Sequence, residues 1–298
     1  MKKQYLKLRH LAKKAYFKFK KPRKLEFPEI LSIELSTICN AQCKFCPHSQ
    51  IKRAKIMSDV VFKKIIDGCI GQKELKLIKP FLYGEPFVTP KFFDKLKYIR
   101  EKLPNVKIRI VTNGAAMIPE KIEVLVSEHL CDEIFFSLDT INPQTFLDFK
   151  GLNYEKTIEN INYFINKNNQ FEHKIKVVAN FVATKENEGE LSQFKNKWKG
   201  KVDDFHIGTE VGLKRRTDYL NEATNLYCRQ IFFRLNFLTN GKATMCCADA
   251  FGEVIVGDIK DNTVKEIWNG YIFNSLRELH LQGKKKEIAL CENCNEWT

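Results

Sequence analysis

Three cysteines in one short loop are the first residues of the chain that could support chemistry. Cys39, Cys43 and Cys46 form a CxxxCxxC pattern directly after the apolar run 30–35, which is typical of a buried strand. Three thiolates at this spacing can bind three irons of a 4Fe-4S cube, so that the fourth iron keeps a free coordination position. Structural zinc needs a fourth ligand, and His48 would crowd the same loop, so we favour iron–sulfur over zinc.

A second set of cysteines lies near the other end of the chain. Cys228, Cys246, Cys291 and Cys294 follow the pattern Cx17Cx44CxxC. Four thiolates can bind every iron of a second cube, and they also suit structural zinc, so spacing alone leaves both alternatives open. Cys247 follows Cys246 directly. Adjacent side chains of an extended segment point to opposite faces, so we expect only one of the two to reach the metal.

The number of cysteines also indicates the compartment. The chain has 10 cysteines in 298 residues, and we identify no secretory segment. This favours free thiols in a reducing, cytoplasmic compartment over disulfides. We expect Cys69, Cys131 and Cys247, which the metal patterns do not require, to pack in the core as small apolar side chains.

The formal net charge of +14 is unevenly distributed. Residues 1–24 contain 11 Lys or Arg and no acid, which leaves 39 basic and 36 acidic residues in the rest of the chain. That balance, without any recognisable nucleic-acid-binding module, argues against nucleic acid as a partner. No stretch approaches the length and apolarity of a membrane span.

Residues 1–24 predict an amphipathic helix that Pro22 ends. Two interpretations of its basic face remain open. The helix packs on the main domain with that face in solvent, or the face contacts an anionic surface, either acidic lipid at a membrane periphery or a phosphorylated substrate.

Strand-like and helix-like segments alternate from residue 24 to about 216. The predicted strands are 30–35, 77–83, 107–112, 133–138, 174–183 and 204–207, and the predicted helices between them include 59–69, 90–102, 119–129 and 154–166. Such alternation predicts an α/β fold with a parallel sheet and crossover helices. Farther along, Asn240-Gly241 predicts a hairpin turn, and residues 263–281 predict a helix that contains Trp268.

Polar motifs follow three of the predicted strands. They read LYGEPF, VTNGA and SLDT, and they contain Gly84, Glu85, Thr112, Asn113, Ser137 and Asp139. Each motif alone is no more than a turn signal. Because the carboxyl ends of parallel strands meet at one end of a barrel, the ordered set predicts a ligand site there.

The cysteine loop and these motifs together resemble the radical S-adenosylmethionine (SAM) enzymes. The resemblance implies a partial (β/α)6 TIM-type barrel over residues 25–216, in which the amino and carboxylate groups of SAM chelate the open iron. It also implies that Phe45, just before the third cysteine, lies near the adenine. Gly84 and Glu85 match part of a GGE motif that meets the SAM amino group, with Tyr83 in place of the first glycine.

Further SAM contacts follow from the same resemblance. Thr112, Asn113, Ser137 and Asp139 are expected to offer hydrogen bonds near SAM. Lys150 stands where the family often has an arginine, and it is expected to contact the SAM carboxylate with its charge but without a bidentate fork. An electron donor such as flavodoxin or ferredoxin is an implied partner.

Residues 217–298 resemble the SPASM or twitch domain of radical SAM enzymes such as 2-deoxy-scyllo-inosamine dehydrogenases. The resemblance favours an auxiliary 4Fe-4S cluster over zinc, with Cys228, Cys246, Cys291 and Cys294 as ligands. A cluster bound by four thiolates has no vacant iron, so its expected task is to accept an electron. The sequence therefore predicts an oxidoreductase that dehydrogenates a small hydroxylated substrate such as a sugar or cyclitol.

Three alternatives remain open at this stage. A peptide or protein maturase would need an extended groove and often a recognition domain, which we do not identify in the sequence. A radical sugar epimerase would need a hydrogen donor, for which Cys247 is available. A noncatalytic zinc-stabilised protein that binds nucleic acid through its basic tail would be colourless and would contain stoichiometric zinc. Glu210, Arg215 and Arg216 follow the sixth predicted strand, but the sequence does not choose a catalytic base among them.

Overall fold

The computed structural model describes residues 22–23, 25–44, 46–53, 55–209, 227–292 and 294. Its strands form one nine-stranded sheet in the order β6-β5-β4-β3-β2-β1-β7-β8-β9. The strands are β1 Ile30–Ile33, β2 Leu77–Lys79, β3 Lys107–Thr112, β4 Glu133–Ser137, β5 Lys176–Ala183, β6 Asp204–Thr209, β7 Arg234–Phe237, β8 Lys242–Thr244 and β9 Ile255–Asp258. Strands β1 to β6 are parallel to their neighbours, which confirms the predicted partial barrel.

Most of the helices connect parallel strands as crossovers, and the last two follow β9. They are α1 Asp59–Asp67, α2 Phe92–Lys102, α3 Pro119–Ser127, α4 Pro143–Lys150, α5 Tyr154–Asn168, α6 Leu191–Trp198, α7 Val264–Asn269 and α8 Tyr271–Leu281. The sequence analysis predicted α1, α2, α3 and α5, whereas it did not predict α4 and α6. The predicted strand 77–83 is wrong beyond Lys79, because Pro80 has no N–H with which to continue the ladder.

The two faces of the parallel sheet differ in chemistry. Ile108, Ile110, Ile134 and Phe136 are fully buried on the outer face, against the helices. Their neighbours on β3 and β4 point inward and are only half-buried, so burial alternates along each strand. Strands of parallel sheets are usually buried on both faces and the interior of a closed barrel is packed, so this alternation marks an accessible inner face.

The C-terminal region joins the same sheet. Strand β7 pairs in parallel with β1, and β8 and β9 then add antiparallel strands. The predicted Asn240-Gly241 hairpin turn is confirmed between β7 and β8. Gly241 has φ +88°, a conformation that residues with a Cβ rarely adopt, and an added Cβ would lie 3.0 Å from Ile259.

The predicted single helix 263–281 is wrong, because the chain leaves the helical conformation at Gly270, where ψ is 155°. Helix α7 begins at a capping box formed by Thr263 and Glu266, and α8 starts directly after the break. Trp268 is buried, and its indole N–H donates to the carbonyl of Leu25 at 2.9 Å.

The predicted N-terminal amphipathic helix lies outside the described residues, apart from Pro22 and Arg23. No helix in the described ranges is long and apolar enough to cross a bilayer.

Candidate active site

The cysteine loop between β1 and α1 is held against the end of α4. The backbone N–H of Gln42 donates to the carbonyl of Lys150 at 2.8 Å, and that of Lys44 donates to Phe149 at 3.0 Å. Ala41 packs in a small apolar cluster with the rings of Phe146 and Tyr154. Helix α4, which the sequence did not predict, therefore fixes the middle of this loop.

The three thiols of the loop are half-buried and free. Burial raises the pKa of all three, that of Cys39 to about 11, and the nearby Glu85, then Cys43 and Cys46, add to the increase at Cys39. The backbone N–H of Ala41 donates to Cys39 Sγ at 3.4 Å. Hydrogen bonds of this kind stabilise a thiolate once a metal replaces the proton.

Gly84 lies directly beneath the cysteine loop. A Cβ at this position would stand 2.2 Å from the carbonyl oxygen of Ser36, so even alanine would collide with backbone. The next backbone N–H, that of Glu85, donates to the carbonyl of Ile38 at 2.8 Å. Tyr83 is tolerated beside this contact because its side chain leaves the loop, and its hydroxyl donates to the carbonyl of Cys247 at 2.7 Å.

Glu85 joins three elements through its carboxylate. Oε1 accepts from the Thr112 hydroxyl at 2.6 Å and from the backbone N–H of Phe87 at 3.1 Å, and Oε2 accepts from the backbone N–H of Asn113 at 2.9 Å. Burial raises the pKa of Glu85, whereas these hydrogen bonds oppose the increase. A carboxylate has about four acceptor positions, so one is left for a ligand.

Asn113 links the third strand to the cysteine loop. Its side-chain Nδ2 donates to Oδ1 of Asn40 at 2.9 Å, and its own Oδ1 accepts from the backbone N–H of Ala115 at 2.9 Å. Asn40 follows Cys39 in the loop. The structure therefore brings Gly84, Glu85, Thr112 and Asn113 together with the cysteines, while their contacts with SAM stay predictions.

Asp139 and Lys150 form a buried ion pair in which Lys150 Nζ lies 2.5 Å from Asp139 Oδ2. The other oxygen, Oδ1, accepts from the backbone N–H of Val182 at 2.8 Å. Burial opposes the charge of Lys150, but Asp139 and then Cys43 outweigh it and raise the pKa of Lys150. The ammonium is thus held between a carboxylate and the cysteine loop, and its predicted contact with the SAM carboxylate stays a prediction.

Ser137 is half-buried at the end of β4, in register with Asn180 on β5. Its predicted SAM contact also stays a prediction. Phe45, Glu210, Arg215 and Arg216 lie outside the described residues.

The C-terminal cysteines line one cavity of about 370 Å³. Its walls include Cys228, Cys246, Cys247, Cys291 and Cys294, together with Tyr83, His280 and Lys285. Cys228 and Cys291 are buried, and burial raises the pKa of Cys228 to about 12. Four of these thiols are the predicted cluster ligands, so the cavity has the right donor chemistry.

Cys246 and Cys247 both line this cavity, and the expectation that only one of the two reaches the metal stays a prediction. The expectation assumed an extended segment, but the chain bends after β8 and turns at Cys247 and Ala248. Cys246 Sγ accepts from the backbone N–H of Ala248 at 3.3 Å. Cys247 is therefore not a core residue, unlike Cys69 and Cys131, which are buried as predicted.

His280 is a functional candidate that the sequence analysis missed. Its Nδ1 accepts from the backbone N–H of Cys228 at 3.1 Å, so the proton belongs on Nε2, which lies 3.6 Å from Cys291 Sγ. Burial, and then Lys285, lowers the pKa of His280 to about 4, so the ring is neutral. A lone histidine within a predicted helix gives no signal of this role, because only the fold brings it between two cysteines.

The inner face of the sheet also carries charged residues that the analysis missed. Lys79, Arg109 and Arg234 point to this face from β2, β3 and β7, and His206 does so from β6. His206 Nδ1 lies 2.6 Å from Asn180 Oδ1. Charged residues at alternate positions of apolar strands, as in KIRIVT, were the available signal.

Both cysteine sets fit iron–sulfur chemistry in their donor atoms. No disulfide links the described cysteines, and within the described ranges no three His, Cys, Asp or Glu side chains converge closely enough to hold a single metal ion. The assignment of individual cysteines to clusters stays a prediction.

Comparison with protein families decides the identity. The model of the radical SAM superfamily matches residues 33–196, which is more than half of the chain. The chain belongs to the radical SAM superfamily. The model of the SPASM iron–sulfur cluster-binding domain matches residues 228–295. This radical SAM enzyme thus has a SPASM domain, and its cofactors are SAM, the radical SAM 4Fe-4S cluster and auxiliary iron–sulfur.

Two curated relatives illustrate how broad the family is. A tungsten-containing aldehyde ferredoxin oxidoreductase cofactor-modifying protein from Pyrococcus furiosus is 28% identical over 167 residues, or 55% of this chain and 46% of that protein. The S-adenosyl-L-methionine-dependent 2-deoxy-scyllo-inosamine dehydrogenase of Niallia circulans is 19% identical over 268 residues, or 89% of this chain and 92% of that protein. The matched region thus spans about half of the first relative and nearly all of the second.

Solved structures share the fold at low identity. BtrN in complex with AdoMet and 2-DOIA has a TM-score of 0.60 at 16% identity, covering 92% of this chain and 95% of BtrN. Streptococcus suis SuiB bound to precursor peptide SuiA has a TM-score of 0.67 at 17% identity, covering 90% and 70%. Native anSMEcpe with bound AdoMet has a TM-score of 0.69 at 15% identity, covering 84% and 83%. Folds of this family therefore serve both small-molecule and peptide chemistry.

Proposed function

We propose that this radical SAM enzyme dehydrogenates an alcohol carbon of a small hydroxylated molecule, such as a sugar or cyclitol, to a carbonyl. The observation that carries the proposal is the single cavity lined by all four predicted auxiliary cysteines. A cluster bound by four thiolates has no iron for substrate, so it suits electron transfer. The dehydrogenase of Niallia circulans, which aligns over 92% of its length, supports the same reaction class.

The cofactors would supply the radical chemistry. When bound, the reduced cluster and SAM would provide the 5'-deoxyadenosyl radical that removes a hydrogen atom from the substrate carbon, and the auxiliary cluster would accept the second electron. The chain itself would provide the ligands: Cys39, Cys43 and Cys46 for the first cluster, and Cys228, Cys246, Cys291 and Cys294 for the second. Glu85 and Asn113 would orient SAM beside the loop that they already brace.

The substrate hydroxyl must also lose a proton, and His206 is suited to accept it. Its Nδ1 is engaged by Asn180 Oδ1, which leaves the lone pair of Nε2 available on the inner face. Burial, and then Lys79 and Arg109, lowers the pKa of His206, so the ring is neutral near pH 7. A neutral imidazole within reach of a hydroxyl is an effective general base.

Two other reactions have specific support. SuiB and anSMEcpe have this fold, which keeps peptide side-chain modification as an alternative. The other reaction is epimerisation, in which a thiol returns a hydrogen atom to the substrate radical. Cys247 is the candidate thiol, because it lines the auxiliary cavity and its Sγ accepts a hydrogen bond from Arg234 Nη1 at 3.3 Å.

One anaerobic assay separates these reactions. The reconstituted enzyme is incubated with reductant, SAM and candidate sugars, cyclitols or peptides, and 5'-deoxyadenosine and products are quantified by mass spectrometry. We expect one carbonyl product per SAM cleaved. In D2O buffer, an isomer carrying solvent deuterium that is formed by the native enzyme and lost in Cys247→Ala would replace the proposal with epimerisation. Turnover with peptides alone would replace it with maturation.

The role of His206 has its own readout. We expect His206→Gln to lower carbonyl formation by at least about 100-fold while SAM binding is retained, because the base acts only on the hydroxyl proton. His173→Gln, at an exposed position before β5, is the matched control. Unchanged carbonyl formation in His206→Gln would remove this residue from the reaction.

A further inference from the structure

Three cations converge on the inner face of the sheet. Lys79 ends β2, Arg109 lies within β3 and Arg234 begins β7, so they come from strands that are close together in the order β3-β2-β1-β7. One acid, Glu133 on β4, accepts a hydrogen bond from Arg109 Nε, and the Arg109 guanidinium also lies 4.6 Å from the ring of Phe135. This group of side chains on the inner face therefore has more positive than negative charge.

The cations are not all neutralised by protein groups. Arg234 donates to Cys247 Sγ through Nη1, but its Nε is buried without a hydrogen-bond partner. Within the described part of the chain, neither a hydrogen bond nor an ion pair is found for Lys79 Nζ. Burial, then Arg234 and Arg109, lowers the pKa of Lys79 to about 7. Like charges held together in this way destabilise the fold unless a ligand compensates them.

A polar row beside the cations points to a ligand with hydroxyl groups. Ser32 on β1 pairs in register with Lys79 on one side and with Asn236 on β7 on the other, so the three residues share one face. Asn236 is fully buried, and its Oδ1 accepts no hydrogen bond. A buried acceptor without a donor is costly, and a substrate hydroxyl would satisfy it.

We propose that Lys79, Arg109 and Arg234 bind an oxyanion, phosphate or carboxylate, on the small hydroxylated substrate, while Asn236 Oδ1 accepts one of its hydroxyl groups. This assignment rests on the proposed function and names the substrate class within it. Two guanidinium forks and one ammonium match the oxygen geometry of a phosphate or carboxylate. The access that such a group needs is given by the half-buried inner positions of β3 and β4.

Calorimetry on the reconstituted enzyme with SAM tests the proposal. The probes are glucose 6-phosphate, glucuronate and neutral glucose, and the two anions identify which oxyanion the site prefers. We expect at least one anionic sugar to bind about tenfold or more tightly than glucose. Equal affinity for glucose and for both anionic sugars would overturn the proposal.

Variants show whether anion binding depends on the three cations. We expect Arg109→Gln and Arg234→Gln each to weaken binding of the anionic sugar about tenfold or more, and Arg109→Lys to weaken it less. Glu133→Gln should strengthen it, an effect that loss of structure would not produce. Lys156→Gln, an equal charge change at an exposed position of α5, is the control and should bind normally. Wild-type affinity in Arg109→Gln and Lys79→Met would overturn the proposal.

The outcome also separates this inference from the reaction on which it rests. Carbonyl formation from neutral sugars without any preference for anions would overturn the oxyanion site and leave the dehydrogenase intact. Anion binding that depends on Arg109 and Arg234, without carbonyl formation from any sugar, would support the site and overturn the dehydrogenase.

Discussion

The two cysteine sites of this radical SAM enzyme are built in opposite ways. The first site is a loop with half-buried thiols, braced from outside by α4 and by Glu85 and Asn113. The second is a cavity into which cysteines from three separate segments project. A braced loop leaves one side open for a ligand, whereas a lined cavity encloses what it binds. The difference agrees with the radical SAM cluster that we expect in the first site and the auxiliary iron–sulfur cluster that we expect in the second.

The polar neighbours of the two sites differ as well. Lys150 brings a buried positive charge beside Cys43 in the first site. In the second site, the neutral ring of His280 directs Nε2–H toward Cys291 at 3.6 Å. A charge and a neutral hydrogen bond stabilise a thiolate cluster to different degrees, so the two clusters should have different reduction potentials.

Replacing a predicted cluster ligand should give the largest difference between the two cysteine sites. We expect Cys39→Ser to lower the rate of SAM cleavage more than about 100-fold, because the open iron is lost with its cluster. Cys228→Ser should instead keep SAM cleavage and lose carbonyl product. Quantifying 5'-deoxyadenosine and product in parallel checks both, with the core variant Cys69→Ala as control. Equal losses in the two ligand variants would show that the sites are not functionally separate.

Breaking the ion pair behind the first site should have the next largest effect. We expect Lys150→Met to lower the free energy of unfolding by about 3–5 kcal/mol, because Asp139 then keeps an uncompensated buried charge. The double variant Lys150→Met/Asp139→Asn should recover most of the loss. Urea unfolding followed by circular dichroism measures both, and a Lys150→Met variant as stable as the native protein would contradict the ion pair.

Substitutions at Gly84 and at the neighbouring Tyr83 should change stability by smaller amounts. We expect Gly84→Ala to cost about 1–3 kcal/mol of stability, because the added Cβ collides with the carbonyl of Ser36, and to lower iron content at the first site. Tyr83→Phe removes only the hydrogen bond to the carbonyl of Cys247 and should cost about 1 kcal/mol. Thermal unfolding and iron analysis compare them, and a tolerated Gly84→Ala would refute the collision.

The pH dependence of anion binding should be the most gradual effect, because it develops over several pH units. Lys79 has a pKa of about 7 before an anion binds, so above this pH the site must take up a proton to bind an anion. We expect the affinity to be full below about pH 6 and to fall by up to about tenfold per pH unit above 7. Arg109, Arg234, Glu133, His206 and Cys247 surround Lys79, so Lys79→Arg is the matched variant and should flatten the profile between pH 7 and 9. A native profile that is flat over this range would contradict the role of Lys79.

The sequence predicted those features whose signals lie within a short stretch of the chain. The apolar runs located all six barrel strands, and the cysteine spacings pointed to the loop and the cavity, because both signals lie within short stretches. The Asp139–Lys150 pair and the contact of His280 with Cys291 were missed because they form only when separate elements meet. The assumption that Cys246 and Cys247 lie in an extended segment was wrong, because a turn follows β8.

The parallel pairing of β1 with β7 has a consequence for how the protein is made. Ile30 is in register with Leu77 of β2 on one side and with Arg234 of β7 on the other, so one edge of the strand that leads into the cysteine loop meets its partner about 200 residues later in synthesis. Contacts this distant in sequence form late. The nascent chain would therefore keep this edge of β1 unpaired until translation is nearly complete, so the barrel strands would assemble before the C-terminal region joins the sheet.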